Sequence, residues 1–479
     1  MEMTLRIYTI LASTALTCVA VPAWAKSNAP AITQSSVSAP LWGDANRVAL
    51  RNALSHSDRH GLDHITFLPA DADQGSEASI DKAYTQAALG YALALAHGVT
   101  DPSSLHEVYT ITRPTADLKG PLKEAILNGT LTDWLGGLAP ADSEYRALSE
   151  AYLTANSNTA PQVPTITLTD SIHPGDKDPL VMEIARQLRD DGYLATQFQG
   201  DTSAKYSPAI ANAVKALQRD YGIREDGIIG QNTLGVLTLR PGDRARAFAV
   251  GLERRRWLSR TPPATRIDVN TATAELRYFR DGKMIDTRKV IVGEPDRETP
   301  GLGSPIYRLV ANPTWTVPKS IPVSSSTVRA KNMRRVNGYW VQPSGPENAL
   351  GLVKFDMRNN QAIYLHDTAA PELFDRSQRH LSHGCVRVAD ALGFASMLAD
   401  QEGVGDAWAK AHESGNYEIV DLPREIPVRL LYHNAFVAED GAVSIRTDPY
   451  GWNDPIAMKL GFADAKTRQA KPKAIDIGP

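Results

Sequence analysis

The 479-residue chain is 42% hydrophobic and 22% charged, with a formal net charge of -3, the balance of an ordinary globular protein with enough residues for two to four domains. It has no basic block to neutralise phosphates and no apolar span beyond one run near the start. Nucleic acid and a bilayer are therefore not expected as partners.

That first run reads as an export signal. Arg6 precedes the uncharged, mostly apolar stretch Ile7 to Val21, and Ala23-Trp24-Ala25 then supplies a small-x-small cleavage site before Lys26. The expectation is a signal peptide over 1–25 and an exported, periplasmic, wall-associated protein with no membrane span once it is cleaved. Cys18 offers a lipoprotein alternative, although Leu16-Thr17-Cys18-Val19 fits that pattern poorly. Residues 26–40 include the Ser/Ala/Pro-rich "SNAPAITQSSVSAP", which buries little and reads as a flexible linker. Over 41–160 apolar residues recur at helical spacing, as at Leu89, Ala92, Leu93 and Ala96, and predict a helical scaffold domain. Its histidines, His56, His60, His64, His97 and His106, read as surface or capping groups rather than metal ligands.

A Pro-containing linker leads to a small unit over 168–240. Val181, Ile184, Ala185 and Leu188 sit at i, i+3, i+4, i+7, and Ile210, Ala213, Val214 and Leu217 repeat the pattern, which predicts two amphipathic helices. Ser207 and Pro208 give the second helix an N-cap and a prearranged first turn. The stretch "AVKALQRDYGIREDGIIGQNTLGVL" resembles the second half of a three-helix peptidoglycan-binding domain, with Leu217-Gln218, Gly222, Asp226-Gly227, Gly230 and Thr233 at the family's positions. A helical linker without a ligand is the plainer alternative.

Between Gly242 and Leu258 lies a basic connecting helix whose run Arg254-Arg255-Arg256 reads as a solvated face. Beyond Thr265 the texture becomes β-rich: "RIDVN", "AELRYF" and "RKVIVG", with a hairpin turn at Asp281-Gly282, then "SPIYRLVANPTWTVP", "LVKFDM" and "AIYLHD". The predicted class is a multidomain α+β protein.

With Cys18 removed, Cys385 in "RHLSHGCVRV" is the only thiol, so no internal disulfide can form. A thiol needs a base or a positive field to become a nucleophile. His366 stands nineteen positions earlier, a gap that lets one strand return beside another, and His383 is two positions away; spacing alone leaves both open as the base. Gly384 would let a carbonyl approach the backbone N–H groups of Gly384 and Cys385. His366, His380, His383 and Cys385 raise zinc as a rival, but His-x2-His-x-Cys with no second cysteine matches no structural site, so no metal or cofactor is expected.

"YLHD", fifteen residues, then "SHGCVRV" resembles the signature of the YkuD-like L,D-transpeptidase catalytic domain. "NPTWTVP", "NALGLVKFDM" and "IPVRLLYHNAFVAEDGAVSIRTDPYG" agree, and with the other two modules the whole resembles the three-domain murein L,D-transpeptidases of the YcbB type. The resemblance implies a catalytic domain over 264–435, with a cap at about 319–348 and a C-terminal extension over 436–479. It also implies Cys385 as nucleophile, His366 as general base, and the N–H groups of His383, Gly384 and Cys385 as an oxyanion hole. Ser382 and Arg387 become supporting residues, Arg387 either clamping a stem carboxylate or making a structural salt bridge. Tyr339 and Trp340 in the cap are candidate substrate contacts, and Tyr364 is expected to pack its strand. The implied partners are peptidoglycan stems: a tetrapeptide donor and the side-chain amine of a diamino acid as acceptor, with an L,D-carboxypeptidase or a non-catalytic wall-binding scaffold as alternatives. Relative to that group the cap is short, which bears on acceptor choice.

Overall fold

Helices form where the apolar spacing demands them. Leu180–Asp190 buries Val181, Ile184, Ala185 and Leu188, and Pro208–Asp220 buries Ile210, Ala213, Val214 and Leu217. Ser207 caps the second, its hydroxyl accepting from the Ile210 N–H, a contact generally worth about 1 kcal/mol. In this computed structural model the described residues are 41–115, 117–157, 166–195, 204–319, 321–438 and 441–463. The expected signal peptide and first linker, and much of the second linker, lie outside them. Among the described residues no helix is long and apolar enough to cross a membrane.

The long helix Glu77–His97 is Ala-rich and buries Tyr84, Ala88, Tyr91 and Leu95 in the helical core, where Ser143–Ser157 and Pro241–Arg256 also pack. Ala435, Ile456, Ala457 and Leu460 join that same core, so the chain beyond the β-rich module returns to the helices. His60 lies 3.0 Å from the Tyr145 hydroxyl, and His106, which caps the C-terminus of the helix Pro102–Leu105, packs on Trp452; both are half-buried among aromatic neighbours.

The basic helix corrects the sequence reading. Arg254 and Arg256 are buried, not solvated. Arg254 donates to the side-chain oxygens of Asn453 (2.6 Å) and Asn434 (3.1 Å) and to the Trp452 carbonyl, with its guanidinium 4.9 Å from the Tyr432 ring centroid. Arg256 pairs with buried Glu253 at 2.7 Å and donates to the His60 carbonyl and Tyr145 hydroxyl. Arg255 pairs with Asp142 at 2.8 Å and with Glu144. Partners drawn from distant segments make burial of the charges affordable.

In the small unit, Gln218 Nε2 lies within 3.1 Å of Asp226, the Ile228 carbonyl and Thr233, while its oxygen accepts from the Gly227 N–H. These motif residues therefore fasten the helix Pro208–Asp220 to the loop after it and to the helix Gln231–Leu237. The unit is held to the rest of the chain through the Tyr221 and Ile223 carbonyls, which accept from the Thr447 N–H and the Ser377 hydroxyl.

The β-rich module is a curled sheet. Its strands are β1 (Arg266–Asn270), β2 (Glu275–Arg280), β3 (Lys283–Gly293), β4 (Leu302–Gly303), β5 (Ile306–Ala311), β6 (Trp315–Thr316), β7 (Arg334–Val336), β8 (Tyr339–Gln342), β9 (Val353–Met357), β10 (Leu365–His366), β11 (His380–Ser382), β12 (Val386–Val388), β13 (Glu418–Ile426) and β14 (Val428–Leu431). The main sheet runs β13-β5-β9-β10-β12-β3-β2-β1-β14-β4, with β11 alongside β3. The nearly continuous β13–β14 segment pairs with β5 at one end and β1 at the other, which curls the sheet around a core containing Phe355, Phe394 and Trp408. β6, β8 and β7 form a separate three-stranded sheet, with β7 and β8 inside the segment 319–348 expected to be the cap.

Candidate active site

β10 and β12 lie side by side in parallel, with Leu365 opposite Val386 and His366 opposite Arg387. Side chains alternate along a strand, so Tyr364, His366, Cys385 and Arg387 share one face. The thiol end is half-buried, whereas His366 and Arg387 are buried beneath it. Tyr364 is thus the direct cross-strand neighbour of Cys385, and His366 stands one step along.

Tyr364 is at the sulfur, not merely packing its strand. Its backbone N–H and its hydroxyl both hydrogen-bond to Cys385. The thiol itself donates to the Ala362 carbonyl at 3.7 Å. Ala362 holds that carbonyl in place from a left-handed conformation (φ 54°), which is uncommon for a residue with a side chain. Burial pushes the thiol above its ordinary value of 9.0, opposed by the Tyr364 hydrogen bonds and by the charges of Lys354 and Arg387. Lys354 lies 4.4 Å from the Tyr364 ring centroid and pairs with Asp356, which Arg308 also holds.

His366 has one ring nitrogen bonded and the other open. Its Nδ1 donates to the Asp367 carbonyl at 2.5 Å, which fixes the tautomer and leaves the Nε2 lone pair with no hydrogen-bond partner among the described residues. Burial, helped by the nearby Arg387 charge, holds the imidazole down to about 3. The resting pair is therefore a protonated thiol and a neutral imidazole, and the latter is the form that accepts a proton.

The loop between β11 and β12 presents the cysteine. Ser382 accepts from the Gly384 N–H at 3.2 Å and donates to the Cys385 carbonyl at 2.5 Å, so it staples the turn. Gly384 takes φ +111°, which an L side chain rarely adopts. With its N–H held by Ser382, Gly384 is not a free oxyanion donor in this conformation. Arg387 is 1% exposed, too deep to clamp a substrate carboxylate here. His383 is half-buried in the turn, while buried His380 bonds the Thr271 carbonyl at 2.9 Å, away from the thiol. No group of three or more His, Cys, Asp or Glu side chains among the described residues is placed to hold a metal. In the cap, Tyr339 is exposed, whereas Trp340 packs against a cluster of Trp315, Val317, Met333 and Leu350 that Tyr364 also touches.

Two positioning residues lie outside the thiol and histidine motifs, one of them, Tyr450, in the C-terminal stretch that ends in "DPYG". Thr299 bridges the Gly293 N–H and the Gly384 carbonyl, and the Tyr450 hydroxyl donates to the Gly293 carbonyl at 2.7 Å. Both act through contacts spanning long sequence separations.

Residues 264–407 match the family model described as L,D-transpeptidase catalytic domain (YkuD). The chain carries a YkuD-family L,D-transpeptidase domain. Residues 177–237 match a peptidoglycan binding domain and residues 34–151 a scaffold domain. A Haemophilus influenzae protein named as an L,D-transpeptidase is 30% identical over 226 residues, covering 40% of this chain and 45% of that protein. This chain thus matches less than half the length of that relative. Among solved structures, an L,D-transpeptidase from Stackebrandtia nassauensis matches at 16% identity, covering 56% of this chain and 97% of its own, with a TM-score of 0.21. One from Xylanimonas cellulosilytica matches at 17% identity over 56% and 100%, with a TM-score of 0.18. Overlays that weak carry no weight for function. The YkuD domain occupies the curled sheet, and its thiol-bearing loop is the site described above.

Proposed function

We propose that this protein is a peptidoglycan L,D-transpeptidase of the YcbB type, exported to the periplasm and working on the cell wall. The observation that carries the reading is the conjunction on one sheet face of Cys385, the Tyr364 hydroxyl at its sulfur, and the partnerless Nε2 of His366. Cys385 loses its proton to His366 and attacks the carbonyl of the third residue of a tetrapeptide stem. The C–N bond breaks, and D-alanine leaves with the proton returned by His366. The amine of a second stem then attacks the thioester; the C–S bond breaks and the thiol is restored. A covalent intermediate divides one difficult exchange into two easier steps.

The developing oxyanion is assigned to the Cys385 N–H and the Tyr364 hydroxyl, with His383 bordering the same turn and Ser382 holding it. Hydrogen bonds from a preorganised site to that charge are generally the largest catalytic contribution. The absence of a Cys385–His366 hydrogen bond at rest accords with the tendency of such contacts to tighten only when substrate binds.

The test is muropeptide mass spectrometry after incubating purified mature protein, or its Cys385→Ala form, with disaccharide tetrapeptide. The expected product is a dimer lacking one D-alanine, made by wild type alone. Tripeptide monomer without dimer would make the protein an L,D-carboxypeptidase. No change with either protein would favour a wall-binding scaffold.

A further inference from the structure

The cap is charged unlike the rest of the molecule. Residues 319–347 carry five cations, Lys319, Arg329, Lys331, Arg334 and Arg335, and one acid, Glu347, in a chain whose net charge is -3. Glu347 lies 3.5 Å from Lys331. The other four cations are exposed, and none meets a carboxylate among the described residues. In the same module Arg266, Arg288, Arg308, Arg424 and Arg429 each sit within 2.8 Å of an acid, and half-buried Arg379 is met by backbone carbonyls instead.

The positive charge is also organised. β7, with Arg334 and Arg335, is an edge strand, open on the side away from β8. Arg335 lies 5.5 Å from the Trp340 ring centroid and Lys319 5.2 Å from that of Tyr339, so aromatic faces hold two of the cations. Beneath them the cap's apolar cluster touches Tyr364, and Tyr364 touches the nucleophile. Unmatched like charges repel one another, and several of them exposed on one short segment attract anions.

We infer that the cap is the acceptor site: its basic face receives the second peptide stem through that stem's free carboxylates. This inference rests on the transpeptidase reading. The acceptor is favoured over the donor because a positive field disfavours an ammonium ion and so maintains the incoming amine in its neutral, nucleophilic form. In the transfer step the amine lone pair attacks the thioester carbonyl carbon, the C–N bond forms, and the C–S bond breaks. The surplus ammonium proton passes to His366 and then to the departing Cys385 sulfur. A donor gains nothing comparable, since its departing amine must be protonated.

The test compares wild type with an Arg329→Gln/Arg334→Gln/Arg335→Gln variant of the mature chain on disaccharide tetrapeptide, at low and high salt. The ratio of cross-linked dimer to tripeptide is expected to fall roughly tenfold in the variant and to lose the salt sensitivity it has in wild type, as expected for exposed charges screened over about 10 Å. Acylation by a carbapenem, followed by intact mass, is expected to remain at the wild-type rate. An unchanged product ratio overturns the inference, and so does an equal loss of acylation, which would place the cations at the donor site or in folding. Unchanged products with lost binding to anionic lipid vesicles would make the face a membrane contact instead. If wild type gives neither product nor adduct, the transpeptidase reading fails first and this inference fails with it.

Discussion

Arg254–Arg256 and Arg334–Arg335 are both basic runs in the sequence, and they end in opposite surroundings. The first sits inside the helical core, with its charges met by Glu253, two asparagines and several carbonyls. The second stands on an exposed edge strand with no carboxylate beside it among the described residues. The difference shows that a charge run states little about exposure. What decides is whether the fold brings acceptors to it from far along the chain, and here the buried run is a structural junction while the exposed one is available to a ligand.

The largest expected effect comes from breaking the buried member. Arg256→Ala leaves Glu253 charged, buried and short of its cation, and is expected to destabilise the protein by about 3–5 kcal/mol in chemical denaturation. Loss of less than about 1 kcal/mol, the range of a surface ion pair, would mean that the helix face is solvated after all.

Acid sharpens the contrast next. Burial holds His366 at about 3 and His380 at about 4, with His433 also lowered, and the cap contains no histidine. These groups bind protons more readily unfolded, at about their ordinary 6.5, than folded. Their stability contribution is complete above pH 6.5 and is lost as pH falls toward 4. The thermal midpoint is therefore expected to drop across that window, whereas a flat midpoint from pH 6.5 to 4 would contradict neutral burial of these imidazoles.

A smaller effect on stability is expected at the exposed member. Arg334→Gln/Arg335→Gln is expected to shift unfolding by no more than about 0.5 kcal/mol, as surface substitutions generally do. A larger loss would mean that these arginines hold the cap together. Finally, Tyr364→Phe removes a hydrogen bond that favours the thiolate. The pH midpoint for alkylation of Cys385 by iodoacetamide is expected to rise, and an unchanged midpoint would mean that the hydroxyl does not reach the sulfur in solution.

The parts legible in the sequence were those encoded locally. Helical spacing marked the two helices of the small unit, Ser207-Pro208 marked an N-terminus, Asp281-Gly282 marked a hairpin, and "SHGC" with an upstream histidine marked the loop and its candidate base. The parts that were not legible depend on pairing at a distance. Tyr364 reaches Cys385 because β10 and β12 align in parallel with one particular register, and a shift of one residue would turn the side chain to the other face. The burial of Arg254 and Arg256 depends on residues 60, 145, 434 and 453, which no local pattern connects to them. Gly384 was a reasonable oxyanion donor from its lack of a side chain, but the orientation of its N–H is set by Ser382.

The central claim is that Cys385 is the acylated nucleophile. The most direct test is intact-mass measurement of the mature protein after exposure to a carbapenem, an acylating mimic of the stem terminus. A single adduct on wild type and none on Cys385→Ala is the predicted result. No adduct on wild type, or an equal adduct on both, would contradict it.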